Sequence, residues 1–243
     1  MKLRRRYLLL LCVLFLGLVA GMIRIKAIGT GFDVESKPIN EKNTFISDIN
    51  ISLIHEEPAK ESIVCFDVNS AGLIALGQSK FEEKTICIYS NAGIFQYGYT
   101  FHCSGSFGIE WDENNLNIYF VRGDAIVSIT PNGEILDVFE VQDTSANNSY
   151  ENYLLYSTEK SVGDHEYIMR NDMGILNLFA VSYSQLVVED IDGTEHVIYN
   201  VNAAQLSKTI TILVIALLVI TFAVVAIVRN GKWHRGQLSV PKK

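Results

Sequence analysis

Short apolar runs separated by polar turns fill the middle of the chain in three similar stretches. Each stretch has an extended apolar run, a polar turn, a second run, a turn that ends in glycine, and a third run. The stretches cover residues 66–101, 109–141 and 167–201. Short apolar runs with turn residues between them are typical of antiparallel strands. The pattern predicts an all-β domain made of three repeats.

The three stretches can be aligned with one another by their glycine turns. Gly93, Gly133 and Gly193 end the turns SNAG, TPNG and DIDG, at spacings of 40 and 60 residues. Asn-Gly and Asp-Gly between apolar runs predict tight hairpins of type I′, because both central residues of that turn need positive φ. The longer step contains an insertion, residues 141–165, in which the stretch YENYLLY is a candidate for a further strand.

This organisation resembles the β-propeller repeat proteins, most nearly the NHL type, in which a strand ending in I-x-[VI]-[FY] is followed by a D/N-x-x-G turn. The stretches ICIYSNAG and IVSITPNG carry the resemblance, which extends over residues 66–201. It implies propeller-like antiparallel blades, but a closed propeller has at least four. Residues 44–54, TFISDINISLI, alternate in polarity and are expected to supply part of a fourth blade. If the blades do not close into a ring, one sheet edge is left free, and either this N-terminal strand or a partner must cover it.

Two apolar segments without a charge flank the domain. Residues 7–23 form a run of 17 and residues 209–228 a run of 20. At a rise of about 1.5 Å per residue, both can cross a hydrocarbon core of about 30 Å, the first only just. We therefore expect two transmembrane helices. An alternative for the first is a signal peptide cleaved at Val19-Ala20-Gly21, which would leave a single C-terminal anchor.

The distribution of charge predicts how the chain crosses the membrane. Four basic residues precede the first apolar segment and five follow the second, and neither flank contains an acidic residue. Residues 24–208 carry all 27 acidic residues against 11 basic ones, a formal charge of −16. Because basic flanks stay in the cytoplasm, we expect both termini inside the cell and the acidic segment outside. Such an acidic segment would repel nucleic acid, so no nucleic-acid partner is expected.

These expectations divide the chain into five parts. They are a cytoplasmic N-terminus (1–6), a first transmembrane helix or signal anchor (7–25), an extracytoplasmic β-rich repeat domain (26–208), a second transmembrane helix (209–228) and a cytoplasmic basic tail (229–243). Gly17 and Gly21 form a GxxxG step in the first helix, which would let another helix approach closely. That helix would be the second span or belong to another copy of the chain.

Arg122-Gly123-Asp124 spells the tripeptide that many adhesion proteins present to integrins. The alignment of the repeats puts it between two paired strands, where glycine supplies a positive φ and aspartate tolerates one. We therefore predict a hairpin turn. Contact with a ligand through this loop is the functional alternative, because binding residues are often on exposed loops.

Cys65 and Cys87 lie on two apolar runs of one predicted blade. Disulfides persist outside the cytoplasm, so a disulfide between these two residues is one alternative. A pair of buried free thiols is the other.

Sequence motifs for catalysis, a cofactor or a metal are not found. No two external histidines share a metal-ligand spacing, and no serine stands in a G-x-S-x-G elbow. We therefore expect a membrane-anchored, non-catalytic binding or accessory module that contacts a ligand, a protein partner or a second copy of itself. The alternative is an extracytoplasmic hydrolase or lyase whose active residues lie in loops.

Overall fold

Three antiparallel sheets and a long C-terminal helix make up the part of the chain that the structure describes. The structure is a computed structural model that describes residues 28–237, with side chains to residue 228. In chain order the elements are β1 (Val34–Ser36), α1 (Ile39–Ile49), β2 (Ser52–Ile54), β3 (Ile63–Val68), β4 (Ile74–Lys80), β5 (Glu83–Tyr89), β6 (Phe95–His102), β7 (Phe107–Asp112), β8 (Asn115–Phe120), β9 (Ala125–Ile129), β10 (Ile135–Val141), α2 (Ser145–Tyr156), β11 (Glu159–Val162), β12 (His165–Arg170), a 3-10 helix (Gly174–Phe179), β13 (Gln185–Asp190), β14 (Glu195–Asn200) and α3 (Asn202–Gln237).

Each sheet is a meander of four consecutive strands. Sheet 1 contains β3 to β6, sheet 2 contains β7 to β10, and sheet 3 contains β11 to β14. The short N-terminal strands extend two of them, since β2 pairs with β6 and β1 pairs with β10. The predicted domain of antiparallel β-structure is confirmed. β11, which sequence analysis assigned to an insertion, is the first strand of sheet 3.

The three aligned glycines occupy equivalent turns before the last strand of each sheet. Gly93, Gly133 and Gly193 have φ of +72°, +82° and +79°. In each turn the glycine N–H donates to the carbonyl three residues earlier, as in the bond of 2.9 Å from Gly93 to Ser90. The central residues of these turns do not have positive φ. The prediction of type I′ is therefore wrong; the pattern is that of a type I turn followed by a left-handed glycine.

Sheet 1 lies between the other two sheets, and both of its faces are buried. One face packs against sheet 2, where Ile86 and Phe101 meet Ile118. The opposite face packs against sheet 3, where Leu76 meets Leu186. This arrangement explains why the strands of sheet 1 are apolar on both faces instead of alternating.

Residues 44–54 form a helix end and an edge strand, so the prediction that they supply part of a fourth blade is wrong. α1 runs to Ile49, and β2 then pairs with β6. Phe45, Ile46 and Ile49 pack on the core between sheets 1 and 2. Their spacing places them on one face of a helix. The same spacing gave the apparent alternation of polar and apolar residues in the sequence.

The YENYLLY stretch belongs to α2 and not to a further strand. The helix begins after Thr144, whose hydroxyl oxygen accepts a hydrogen bond of 3.1 Å from the Asn147 N–H. Such a cap satisfies one of the free N–H groups of the first turn. Leu154 is buried against the outer face of sheet 2, together with Phe32 and Tyr119. α2 therefore covers the face of sheet 2 that sheet 1 leaves open.

α3 is long and apolar enough to cross a membrane over Asn202–Val228, and its most apolar stretch is not buried against the rest of the protein. It is the only such helix in residues 28–237. The predicted first span, with Gly17 and Gly21, lies outside the described residues. Membrane association through the C-terminal apolar segment agrees with the sequence prediction.

Candidate functional site: a cleft where the three sheets meet

The directions of the strands show at which end of the domain each loop lies. β14 leads into α3, and we call this end of the sheets the α3 end. Because β12 and β14 run in the same direction, the β12–β13 loop, residues 171–184, also lies there. Lys208 Nζ lies 2.5 Å from Glu61 Oε2, and Ile63 pairs with Tyr183, so sheet 1 begins at the same end. The three glycine turns lie at the opposite, distal end.

A cleft of about 330 Å³ opens at the α3 end, where the loops of all three sheets converge. Its walls come from β3, the β4–β5 hairpin, the loop before β7, the end of α2 and the β12–β13 loop. The polar side chains of the lining are Ser79, Lys84, Ser106, Tyr156 and Tyr183, and the other lining residues are Val64, Gly105, Phe107, Leu155 and Val181. The cleft is therefore lined by one cation, four hydroxyl-bearing side chains and apolar residues.

Lys84 is the charged residue of the cleft, and it is 5% exposed. Its ammonium donates to Ser79 Oγ at 2.7 Å and to the carbonyl oxygen of Phe81 at 2.5 Å. Phe81 has a φ of +54°, and this tight hairpin turns its carbonyl back toward Lys84. Among the described residues no carboxylate lies within ion-pair distance of Lys84. A lysine has three N–H donors, so one is left for a ligand.

Asp67, near the distal end of β3, joins the first strands of the three sheets. One carboxylate oxygen accepts from the Trp111 N–H of β7 at 2.7 Å, and the other accepts from Lys160 Nζ of β11 at 2.8 Å. Asp67 itself is on β3. This junction holds the three strands together, and its charges are already paired, so its role is structural and it is not part of the cleft.

Glu110 is a second buried carboxyl group, and it fixes the N-terminal segment. It accepts hydrogen bonds from the Thr30 hydroxyl, from the Gly31 N–H at 3.5 Å and from the Tyr150 hydroxyl at 2.6 Å. Burial raises the pKa of Glu110, and these three bonds partly oppose the rise. Burial, and then the bond to Glu110, raise the pKa of Tyr150. The geometry ties residues 30–31 and α2 to β7.

Arg122, Gly123 and Asp124 lie in the loop between β8 and β9, as the sequence predicts, with φ of +110° at Gly123 and +43° at Asp124. Arg122 Nη1 donates to Ser104 Oγ at 3.0 Å. The Asp124 carbonyl accepts from the Val141 N–H at 2.7 Å. The tripeptide is thus part of the hairpin and of its contacts with two neighbouring segments.

Cys65 and Cys87 are buried free thiols. β4 lies between their strands, and their side chains are on opposite faces of sheet 1. Strands two positions apart are separated by about 9–10 Å, too far for a disulfide, so of the two alternatives from the sequence the pair of buried free thiols is the one observed. Burial raises the pKa of Cys65, and it raises the pKa of Cys87 to about 12. Both thiols are therefore protonated and unreactive at neutral pH.

No protein-family model matches this chain, and no curated protein is significantly similar to it. The sequence gives no signal for the cleft, because Lys84 ends the polar stretch GQSKFEEK, residues 77–84. A lysine next to Glu82 and Glu83 has the pattern of an exposed hairpin, and only the convergence of three distant loops buries it.

Proposed function

We propose that this protein is a membrane-anchored, non-catalytic binding module whose cleft takes a small organic anion. The ligand class is a carboxylate or phosphate group with a compact apolar body. The observation that carries the proposal is the buried ammonium of Lys84, which has one free donor and no carboxylate partner among the described residues.

An anion in the cleft would offset the cost of burying this charge. Removing an ammonium from water is unfavourable unless an opposite charge or good hydrogen bonds replace the water. Ser79 and Ser106 supply hydroxyl groups to the lining, and Phe107 and Leu155 supply apolar surface. The volume of the cleft is at the small end of the range for small-molecule sites. These features favour a short ligand with one negatively charged end.

The scaffold and its placement are also part of the proposal. Three consecutive four-stranded meanders with equivalent glycine turns support a propeller-like arrangement of blades. The charge distribution supports a multi-pass cell-membrane protein with two spans, both termini in the cytoplasm and the sheets outside. The outer edge of β14 pairs with no strand in the part of the chain described, unlike β6 and β10. That edge favours a protein partner or a second copy that adds a strand.

Binding of butanoate and of inorganic phosphate to the full-length protein in nanodiscs tests the proposal, with butan-1-ol as the neutral control. Isothermal titration calorimetry should show butanoate or phosphate bound to the wild type and butan-1-ol bound more weakly. Lys84→Met removes the ammonium and keeps the length of the side chain. It should weaken anion binding by about tenfold or more, the value of one charge-assisted hydrogen bond.

Lys80→Met is the matched control, because Lys80 is exposed in the same hairpin and does not line the cleft. It should bind the anions as the wild type does. Equal binding by Lys84→Met and the wild type, with the fold intact by circular dichroism, would overturn the proposal. Hydrolysis of a butanoate ester or of a phosphate monoester by the wild type would favour the enzyme alternative.

A further inference from the structure

We propose that residues 174–181, in the β12–β13 loop, form a second membrane contact that lies in the headgroup layer of the bilayer beside α3. The inference is independent of the anion site. It concerns how the domain is held against the membrane, and its occupant is the lipid surface.

The segment is apolar and exposed. It reads GILNLFAV and carries no charge. Ile175, Leu178 and Val181 are 80%, 83% and 99% exposed, so the segment presents its apolar side chains outward. Its one polar side chain, Asn177, is used internally, since it accepts from the Met173 N–H at 2.9 Å. The surface of a soluble protein rarely exposes such an apolar cluster unless the cluster contacts another protein or a membrane.

Hydrogen bonds fix both ends of the segment to the first turn of α3. Asn202 Nδ2 donates to the Asp172 carbonyl at 2.5 Å, and Gln205 Nε2 donates to the Ser182 carbonyl at 2.8 Å. The 3-10 helix between these two anchors lies against α3. The loop therefore cannot move away from the membrane helix without breaking these two bonds, of which the one from Gln205 is half-buried.

The depth of this attachment matches the membrane interface. The uncharged run of α3 begins at residue 209, four residues beyond Gln205, which is about 6 Å along the helix. The headgroup layer on one side of a bilayer is about 5–8 Å thick. Gln205 is thus placed near the outer boundary of that layer, and the loop leaves the sheet in the direction that α3 takes.

The attachment of this segment to the membrane helix α3 favours lipid, and not another protein, as the surface that the segment contacts. Phe81 at the tip of the β4–β5 hairpin is also exposed and lies at the α3 end, so apolar side chains are found on two loops of this end. Apolar side chains carried on a polar domain bind the boundary between headgroups and acyl chains. Val181 also lines the cleft, so the cleft opens at the membrane surface.

The test is depth-dependent fluorescence quenching on the full-length protein, one copy in each phosphatidylcholine nanodisc. Cys12 and Cys103 are replaced by serine, and the buried Cys65 and Cys87 are left in place. A single cysteine at Leu178 carries an environment-sensitive nitrobenzoxadiazole label, and one at Ile191 in the distal turn is the matched control. Ile191 is 85% exposed, so both substitutions are on the surface.

The label at position 178 should emit at shorter wavelength than the label at 191 and should be quenched by lipids with a nitroxide near the headgroup. A nitroxide at the end of the acyl chain should quench it less, and the label at 191 should be quenched by neither. Equal responses at the two positions would overturn the proposal. A blue shift at 178 without quenching by lipid would also overturn it, because it would assign the contact to protein.

Discussion

Lys160 Nζ on β11 lies 2.8 Å from Asp67 Oδ1 on β3, and the two side chains are 12% and 11% exposed. The second oxygen of the same carboxylate accepts from the Trp111 N–H on β7. One carboxylate thus connects three strands that are distant in sequence and belong to three different sheets. The ion pair therefore helps to hold the three sheets together.

Asp67→Asn should destabilise the protein by about 3–5 kcal/mol, because it leaves Lys160 buried without an opposite charge. Thermal unfolding in mild detergent measures the effect. Asp67→Asn combined with Lys160→Met should recover part of the loss, since no charge is then left unpaired. Glu195→Gln breaks the exposed pair with Arg170 and should change the melting temperature little. Equal losses for Asp67→Asn and Glu195→Gln would contradict the assigned role.

Gly93→Ala should be more destabilising than Gly193→Ala, although both glycines have similar positive φ. The left-handed conformation alone costs a residue with a Cβ about 1–2 kcal/mol. A Cβ at Gly93 would also stand 2.9 Å from the Ile198 carbonyl oxygen, whereas a Cβ at Gly193 would meet nothing within 4 Å. Denaturant midpoints of the two variants measure the difference. Equal midpoints would mean that the turn of sheet 1 does not contact β14.

Glu110→Gln should change how stability depends on pH. Burial raises the pKa of Glu110 above its ordinary value of 4.5, so the native state holds the proton over a pH range in which the unfolded chain has lost it. The contribution of this carboxyl group to stability is therefore greatest at low pH and falls as pH rises from 4.5 through the raised pKa. Melting temperatures from pH 4 to pH 8 should show this fall for the wild type and not for the variant. Parallel profiles would contradict the shift.

Asp124→Asn should preserve the β8–β9 hairpin and change the stability by less than about 0.5 kcal/mol, because asparagine accepts a left-handed φ as readily as aspartate. Gly123→Val should cost more than about 1 kcal/mol, since a β-branched residue resists the φ of +110°. Unfolding curves measure both effects. Loss of cell adhesion with Asp124→Asn, at unchanged stability, would instead support a ligand contact through the tripeptide.

Single cysteines at Ser47, Ser145 and Ser239 of a cysteine-free variant should report the topology. Ser47 and Ser145 are exposed on the domain, and both should react with an impermeant maleimide on intact cells. Ser239 belongs to the basic tail, which we place in the cytoplasm, so it should react only after the cells are permeabilised. Labelling of position 239 in intact cells would contradict the proposed orientation.

Patterns of neighbouring residues predicted most of the β-structure. They failed where the conformation of a segment depends on contacts with residues distant in sequence. Gly93, Gly133 and Gly193 mark equivalent turns because their positive φ is a property of four neighbouring residues. The conformation of residues 44–54 depends on a core that Phe45 and Ile49 join only in the folded protein. For such a segment, alternation and helical spacing are indistinguishable in a short window.

The candidate site was not predictable from the sequence for the same reason. Lys84 is at the start of β5, Ser106 is in the loop before β7 and Val181 is in the β12–β13 loop, and no motif relates their positions. The sequence left a Cys65–Cys87 disulfide and two free thiols as open alternatives, because an apolar strand does not show which of its two faces a cysteine will occupy when both faces are buried. Cys65 and Cys87 both fit a buried strand, yet they point to different sheets.

The two short N-terminal strands have a consequence for the folding of the nascent chain. Val34 pairs with Val141 and Leu53 with Tyr99, so the segments that cover the outer edges of sheets 2 and 1 are synthesised long before the strands they cover. Contacts between residues so distant in sequence form late, because a long loop must first close. During that interval the edges of β6 and β10 are open to strands of other chains. Aggregation during synthesis is therefore a hazard set by the order of the segments, and it ends only when both N-terminal strands have docked.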